Sequence, residues 1–271
     1  MSRFELRTTW LWPLRVPVRL AAWTDRRLAS FDVIRPWSFW IASSLSIGLV
    51  PPLLAWQFGF DRHGAVSAIP LAVLFLAAVR RDDLFRALIL VGGSFLAHSA
   101  FVIALSANNP EAAAILPGSA EYWSGISQWV RTGDDREYRW QEWLPAHAGQ
   151  AIFIPILAYT TFGALPFAFG FEQIDLMNYY VGRLAAESRS PWIAIGLGWH
   201  PWSILRGLGF TILTFEIVSL SWCRWSRNDV RPRGRWWKLW LIGLGSIAAD
   251  ALLKLLISPR IQRALHDNLA S

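Results

Sequence analysis

Long apolar runs separated by short charged stretches dominate the chain. A helix needs about 20 apolar residues to cross the hydrocarbon core of a bilayer, and six runs approach or exceed that length. We predict spans at about 37–58, 67–79, 87–107, 147–170, 192–222 and 236–257. The predicted fold class is therefore all-α: a polytopic integral membrane protein with about six hydrophobic helices plus interfacial amphipathic helices.

The longest run, 192–222, is interrupted near its start by the sequence Trp-His-Pro-Trp. It is also longer than one crossing requires. Pro201 cannot donate a backbone hydrogen bond, and proline is favoured at the first position of a helix. We predict that the run is broken at 199–201 and that a true span follows from Pro201 to Trp222.

Polar segments of different character border these spans. Residues 1–36 are rich in arginine with apolar residues between, which predicts a basic segment lying on the membrane surface. Residues 108–146 form an acidic outer loop that contains a helical apolar pattern, and 171–190 form a second amphipathic connector. A short tail, 258–271, follows the last span, so the membrane domain is predicted to cover 37–257.

The composition agrees with this class. Of the 271 residues, 54% are hydrophobic and 17% are charged, whereas about a quarter are charged in soluble proteins. Many of the 18 tryptophans lie at the edges of apolar runs, where an indole contacts acyl chains and headgroups together. The net charge of +7 belongs to loops that face the membrane, and no basic polar domain for nucleic acid is present. The expected partners are membrane lipids, with anionic headgroups on the arginine-rich loops, and other membrane-protein subunits.

The arginines also predict an orientation. The positive-inside rule puts residues 1–36 and the Arg80–Arg86 turn in the cytoplasm, so we expect the inner membrane of the cell and a cytoplasmic N-terminus. Single crossings by both of the next two spans would leave the arginine-rich loop at 223–235 outside, against the rule. Either the long run turns back at its break, or 147–170 enters and leaves on the same side. The sidedness of 171–190 and of the arginine-rich loop stays open.

Ionisable residues at membrane depth are costly, which makes each of them a functional candidate. Four qualify: His98, Glu216, Asp250 and Lys254. Asp250 and Lys254 are four residues apart, and mutual neutralisation on one helix face is favoured over catalysis. Glu216 has no partner on its own helix, so it is a candidate for proton or cation coupling, with a structural acid as the favoured interpretation.

His200 and Arg206 are candidates for an anion or headgroup site at the start of a helix. A helix boundary with interfacial aromatic residues is the favoured alternative. The five histidines are scattered without metal-binding spacing, and the single cysteine, Cys223, excludes a thiolate cage. The sequence therefore predicts no metal site, no cofactor and no catalytic residues.

Three function classes follow. The leading hypothesis is an integral membrane subunit, scaffold or assembly partner without catalytic activity of its own. The alternative is a small proton- or ion-coupled transporter that uses Glu216 and the broken segment at His200. The third is an enzyme acting on lipid headgroups, which no catalytic spacing supports, so a protein without enzymatic activity is preferred.

Overall fold

The structure is a computed structural model that describes residues 36–134, 140–226 and 236–269. Within these ranges, nine α-helices and one 3-10 helix follow one another along the chain. They are α1 (Trp37–Phe58), α2 (His63–Arg80), α3 (Leu84–Asn108), the 3-10 helix (Pro110–Ile115), α4 (Ser119–Thr132), α5 (Trp140–Thr161), α6 (Ala164–Ala186), α7 (Pro191–Gly198), α8 (Pro201–Ser226) and α9 (Trp236–Asn268).

Five of these helices, α1, α2, α3, α8 and α9, are long and apolar enough to cross a membrane. Their outward faces carry exposed leucines such as Leu53, Leu241 and Leu256, as expected where lipid replaces water as the surrounding medium. The predicted class is confirmed: the chain is an all-α, polytopic membrane protein. The break predicted at 199–201 coincides with the gap between α7 and α8.

Cation–π contacts bring several helix ends together at one end of the bundle. The guanidinium of Arg80 lies 4.5 Å from the ring centroid of Trp222 and joins the end of α2 to the last turns of α8. The guanidinium of Arg86 lies 4.9 Å from the ring of Trp37 and joins the start of α3 to the start of α1. Phe162, between α5 and α6, also contacts Trp222, with ring centroids 6.3 Å apart. We term this the arginine end and the opposite end, where α1 leads into α2, the cavity end.

The region predicted as one span, 147–170, differs in the structure. It contains the end of α5, a tight turn and the start of α6. Phe162 and Gly163 in that turn both have positive φ, 52° and 91°, so the chain reverses at the arginine end. The segment predicted as a connector, 171–190, is mostly the continuation of α6 back to the cavity end. Hydropathy alone misses this reversal because the turn carries no charge.

The predicted tail differs from the prediction, whereas the helical pattern predicted within 108–146 is present as α4. The predicted tail, 258–271, continues α9 as far as Asn268, because Ile261 and Leu265 are buried against α4 and α6. The apolar side of α4 packs in the same cluster, where Ile126 and Trp129 are almost completely buried. Apart from Pro36, the predicted basic segment lies outside the described residues, and so does most of the arginine-rich loop, 227–235.

Candidate functional site

Three helices bring together buried polar side chains near the cavity end. His63 is the first residue of α2, His98 lies within α3, and Asp175 lies within α6. Their exposed fractions are 1%, 0% and 5%. A buried carboxylate is stable in such surroundings only when donors or cations compensate its charge, and here two imidazoles do so.

One carboxylate bridges the two imidazoles. His98 Nε2 donates a hydrogen bond to Asp175 Oδ1 at 2.6 Å, and His63 Nε2 lies 3.0 Å from Asp175 Oδ2. The two rings stack with centroids 5.5 Å apart and planes inclined by 19°. The Nδ1 atoms of both histidines are buried, and the described part of the chain offers them no hydrogen-bond partner.

This arrangement has the donor set of a metal site. One ligand atom from each of the three residues lies within 4.8 Å of the others, and a metal ion held by nitrogen and oxygen sits about 2.0–2.2 Å from each ligand. A small outward shift of the side chains would admit an ion where the carboxylate now meets the Nε2 atoms. Imidazole and carboxylate together suit zinc, iron(II) and related divalent cations.

A cavity of about 590 Å³ opens beside the site at the cavity end. Asp175 is part of its wall, and α4 covers it through Tyr122 and Ile126. The charged residues in the wall are predominantly acidic: Asp61, Glu121, Glu172 and Asp175 against Arg62. Such a wall attracts cations, because fixed charges of one sign in a cleft raise the local concentration of counter-ions.

Aromatic side chains close the opposite side of the cluster, toward the arginine end. The ring of Phe171 lies 5.0 Å from that of His98 and 4.8 Å from that of Phe95. Further toward the arginine end, Phe75 contacts Phe167 and Phe215 with centroid distances of 4.9 and 6.0 Å. Of the three cluster residues, only Asp175 lines the cavity, and the phenylalanines pack on the side toward the arginine end.

Of the four ionisable candidates, the structure places only His98 in this cluster. Glu216 is buried in α8, 5% exposed, and does not line the cavity. Asp250 was predicted to pair with Lys254 on its own helix. Asp250 Oδ2 also lies 3.2 Å from Arg206 Nε, so Asp250 forms an ion pair with α8 as well. The ammonium of Lys254 lies 5.3 Å from the ring centroid of Trp143.

His200 and Arg206, the predicted anion-site residues, lie outside the cluster of His63, His98 and Asp175. The guanidinium of Arg206 also donates to Nε2 of His147. The ring of His200 stacks on Trp202 at 4.5 Å and contacts Trp129 at 5.8 Å. Burial, followed by the positive charges of Lys254 and Arg206, lowers the pKa of His200 to about 3, so it is neutral at physiological pH.

Sequence reasoning did not select His63 or Asp175. In the sequence, His63 lies in the short polar stretch between two apolar runs. Asp175 lies on the polar side of the segment 171–190, which was predicted to be a connector. A signal was nonetheless present, because Phe171, Asp175, Asn178 and Gly182 recur at the spacing of one helix face, and all four are buried. Two polar residues on an otherwise apolar face indicate a buried polar site.

Fold and cluster together define the class: a polytopic helical membrane protein with a buried site of two histidines and one carboxylate. No protein-family model, curated protein or solved structure matches the chain. What the site does is therefore argued from the chemistry of its own residues.

Proposed function

We propose that this protein is a membrane metalloprotein that holds a divalent transition-metal cation between His63, His98 and Asp175. The observation that carries the proposal is the convergence of these three buried ligands from three helices. The metal would face the cavity, where a ligand or substrate can approach it.

The ligand set supports a reactive rather than a purely structural ion. Structural zinc sites are usually closed by four protein ligands, whereas catalytic sites have three and keep one position for water or substrate. The cavity of about 590 Å³ falls within the range typical of small-molecule sites, about 300–1,000 Å³. A cation would also compensate the buried charge of Asp175; to bind it, His98 would carry its ring proton on Nδ1 instead of Nε2, which frees the Nε2 lone pair on the side of the carboxylate.

An ion carrier is the second candidate, and the acidic wall of the cavity favours it. Asp61, Glu121 and Glu172 would gather cations at the cavity end. The phenylalanines on the side toward the arginine end mean that passage would require a second conformation. Transport assays with the metal alone separate the two candidates, because a metalloprotein with a fixed ion produces no flux.

The distribution of charge supports insertion in the inner membrane of a cell, with the arginine end in the cytoplasm. That end carries several arginines and adjoins the arginine-rich segments 1–36 and 223–235, so the positive-inside rule favours it for the cytoplasm; the cavity end carries the acidic wall together with basic residues such as Arg260 and Arg263. The reversal between α5 and α6 supports the same orientation, because it brings the end of α8 to the arginine end. The arginines concerned are Arg80, Arg81, Arg86 and Arg224.

The role of subunit or scaffold, with membrane lipids and other subunits as partners, remains a prediction from the sequence. It is compatible with a bound metal. Purification in mild detergent from the native membrane tests it, because a partner protein in constant ratio would support a subunit and a lone chain would count against it.

The metal proposal is tested by metal content and by metal-dependent stability of the full chain in detergent. Protein stripped with a chelator and reloaded with Zn²⁺ should retain about one ion per chain after desalting. Zn²⁺ should raise its unfolding temperature, because a ligand that binds only the folded state stabilises it. Asp175→Asn and His98→Gln should weaken Zn²⁺ binding by about tenfold or more, since even indirect partners of a metal contribute that much.

His266→Gln is the matched control, because His266 is an exposed histidine of α9 far along the chain from the cluster. It should bind Zn²⁺ as the natural chain does. The thermal shift of the unmutated protein keeps the test independent of whether the variants fold. No shift with Zn²⁺, Mn²⁺, Fe²⁺ or Co²⁺ would show that the cluster is a proton-sharing network without metal.

A further inference from the structure

A second cavity, of about 510 Å³, lies at the cavity end between α4, α5 and α9. Trp129 and Trp143 form aromatic walls, and Lys254 and Arg263 contribute positive charge. No carboxylate is found among the described residues that line it. This cavity therefore has the opposite electrostatic character from the one beside Asp175.

The wall also offers neutral hydrogen-bond donors. Trp143 is 5% exposed, and its indole N–H is buried without an acceptor within the described ranges. Ser258, which carries a hydroxyl, is a further residue of the same wall. An indole N–H and a hydroxyl together with two cationic groups suit a phosphate oxygen, because charge-assisted hydrogen bonds to phosphate are short and strong.

The apolar surface beside the cavity distinguishes a phospholipid from a free phosphate ion as the source of the phosphate group. Leu255 lines the cavity and is 52% exposed. Leu252 and Leu256 beside it are 60% and 70% exposed on the outer face of α9, which is one of the helices long and apolar enough to cross the membrane. A free phosphate ion would use none of this apolar surface, whereas a phospholipid would lay its acyl chains along it.

We infer that this cavity binds the phosphate group of an anionic phospholipid, with the acyl chains against the exposed leucines of α9. The cationic side chains hold the headgroup, and the two indoles, both almost completely buried, form the walls beside it. The site is separate from the metal cluster and does not depend on it.

The test is a lipid titration of the full chain in detergent, followed by native mass spectrometry. Phosphatidylglycerol should bind more tightly than phosphatidylcholine by about threefold or more, because the zwitterionic headgroup carries its own cation. Arg263→Gln should weaken phosphatidylglycerol binding by about three- to tenfold, and Trp143→Phe, which keeps an aromatic ring but removes the N–H, should weaken it by a smaller factor.

Arg260→Gln is the matched control, because Arg260 is an exposed arginine of the same helix outside the cavity. It should bind both lipids as the natural chain does. Equal binding of the two lipids, or equal losses in the Arg260 and Arg263 variants, would overturn the inference. Displacement of phosphatidylglycerol by millimolar inorganic phosphate would also overturn it, since the site would then select the free ion.

Discussion

Two buried carboxylates in this protein are compensated in different ways. Asp250 faces the guanidinium of Arg206 at 3.2 Å, and arginine stays charged at every physiological pH. Asp175 faces two imidazoles at 2.6 and 3.0 Å, which carry charge only when protonated. The cation of the first pair is permanent, whereas the second carboxylate is compensated by imidazoles, which can also serve as metal ligands. For that reason we place the candidate site at Asp175.

His200 provides a prediction on pH. Its pKa of about 3 in the folded protein lies below the ordinary value of about 6.5, so the unfolded chain takes up the proton first as the pH falls. The stability contributed by neutral His200 is present above about pH 6.5 and is lost progressively below it. Between pH 7.5 and pH 5 the free energy of unfolding should fall by on the order of 2 kcal/mol from this residue.

Thermal unfolding in detergent at the two pH values measures this loss. His200→Gln removes the titrating group, so the variant should show a smaller difference between pH 7.5 and pH 5 than the natural chain, even if it is less stable at both. A difference of the same size in the two proteins would assign the acid sensitivity to other groups.

At the level of helices, the packing of α8 on α9 depends on glycine. A Cβ atom added to Gly209 would lie 2.7 Å from the carbonyl oxygen of Gly243, closer than real Cβ contacts allow. The two backbones therefore touch directly, as small residues permit in membrane helix pairs. This contact also sets the depth at which Arg206 of α8 meets Asp250 of α9.

Gly209→Ala should consequently lower the unfolding temperature, because the helices must separate to admit the methyl group. Gly207→Ala is the control on the same helix, since nothing lies within 4 Å of the added atom and alanine favours helix by about 1 kcal/mol over glycine. Its unfolding temperature should stay the same or rise. Equal destabilisation by both substitutions would mean that the close approach of α8 and α9 does not limit stability.

At the level of the whole molecule, an acidic cavity and a basic cavity share one end of the bundle, and the arginine end lies opposite. The acidic cavity and its buried ligands lie at one end, and the arginines around Trp37 and Trp222 lie at the other. The proposed orientation would open the proposed metal site away from the cytoplasm, so its cation and any ligand would come from the extracytoplasmic side.

Cysteine labelling tests that orientation. In a Cys223→Ser background, Glu111→Cys places an exposed thiol at the cavity end and Arg81→Cys places one at the arginine end. A membrane-impermeant maleimide added to intact spheroplasts should label the first and should reach the second only after lysis. The reverse pattern would invert the orientation and put the metal site on the cytoplasmic side.

The sequence by itself determined the class of the protein, the bounds of α1 and the position of the break between α7 and α8. Those features follow from local properties: the length of an apolar run sets whether its helix can span the membrane, and Pro201 sets the start of α8. The turn at Phe162 and Gly163 carries no charged residue. Hydropathy therefore predicted a single span, 147–170, where the structure has the end of α5 and the start of α6.

Only the tertiary structure decided which polar residues meet. His98 was a candidate because it lies within a predicted membrane span. His63 and Asp175 are its partners only because α2, α3 and α6 pack side by side. His98 and Asp175 are 77 residues apart in the sequence, so spacing could not have paired them. The partnership of Asp250 with Arg206 likewise depends on the close approach of α8 and α9. Hydropathy and residue spacing carry information about a single helix. A site between helices depends on which residues of neighbouring helices lie at the same level, and only the packing of the helices decides that.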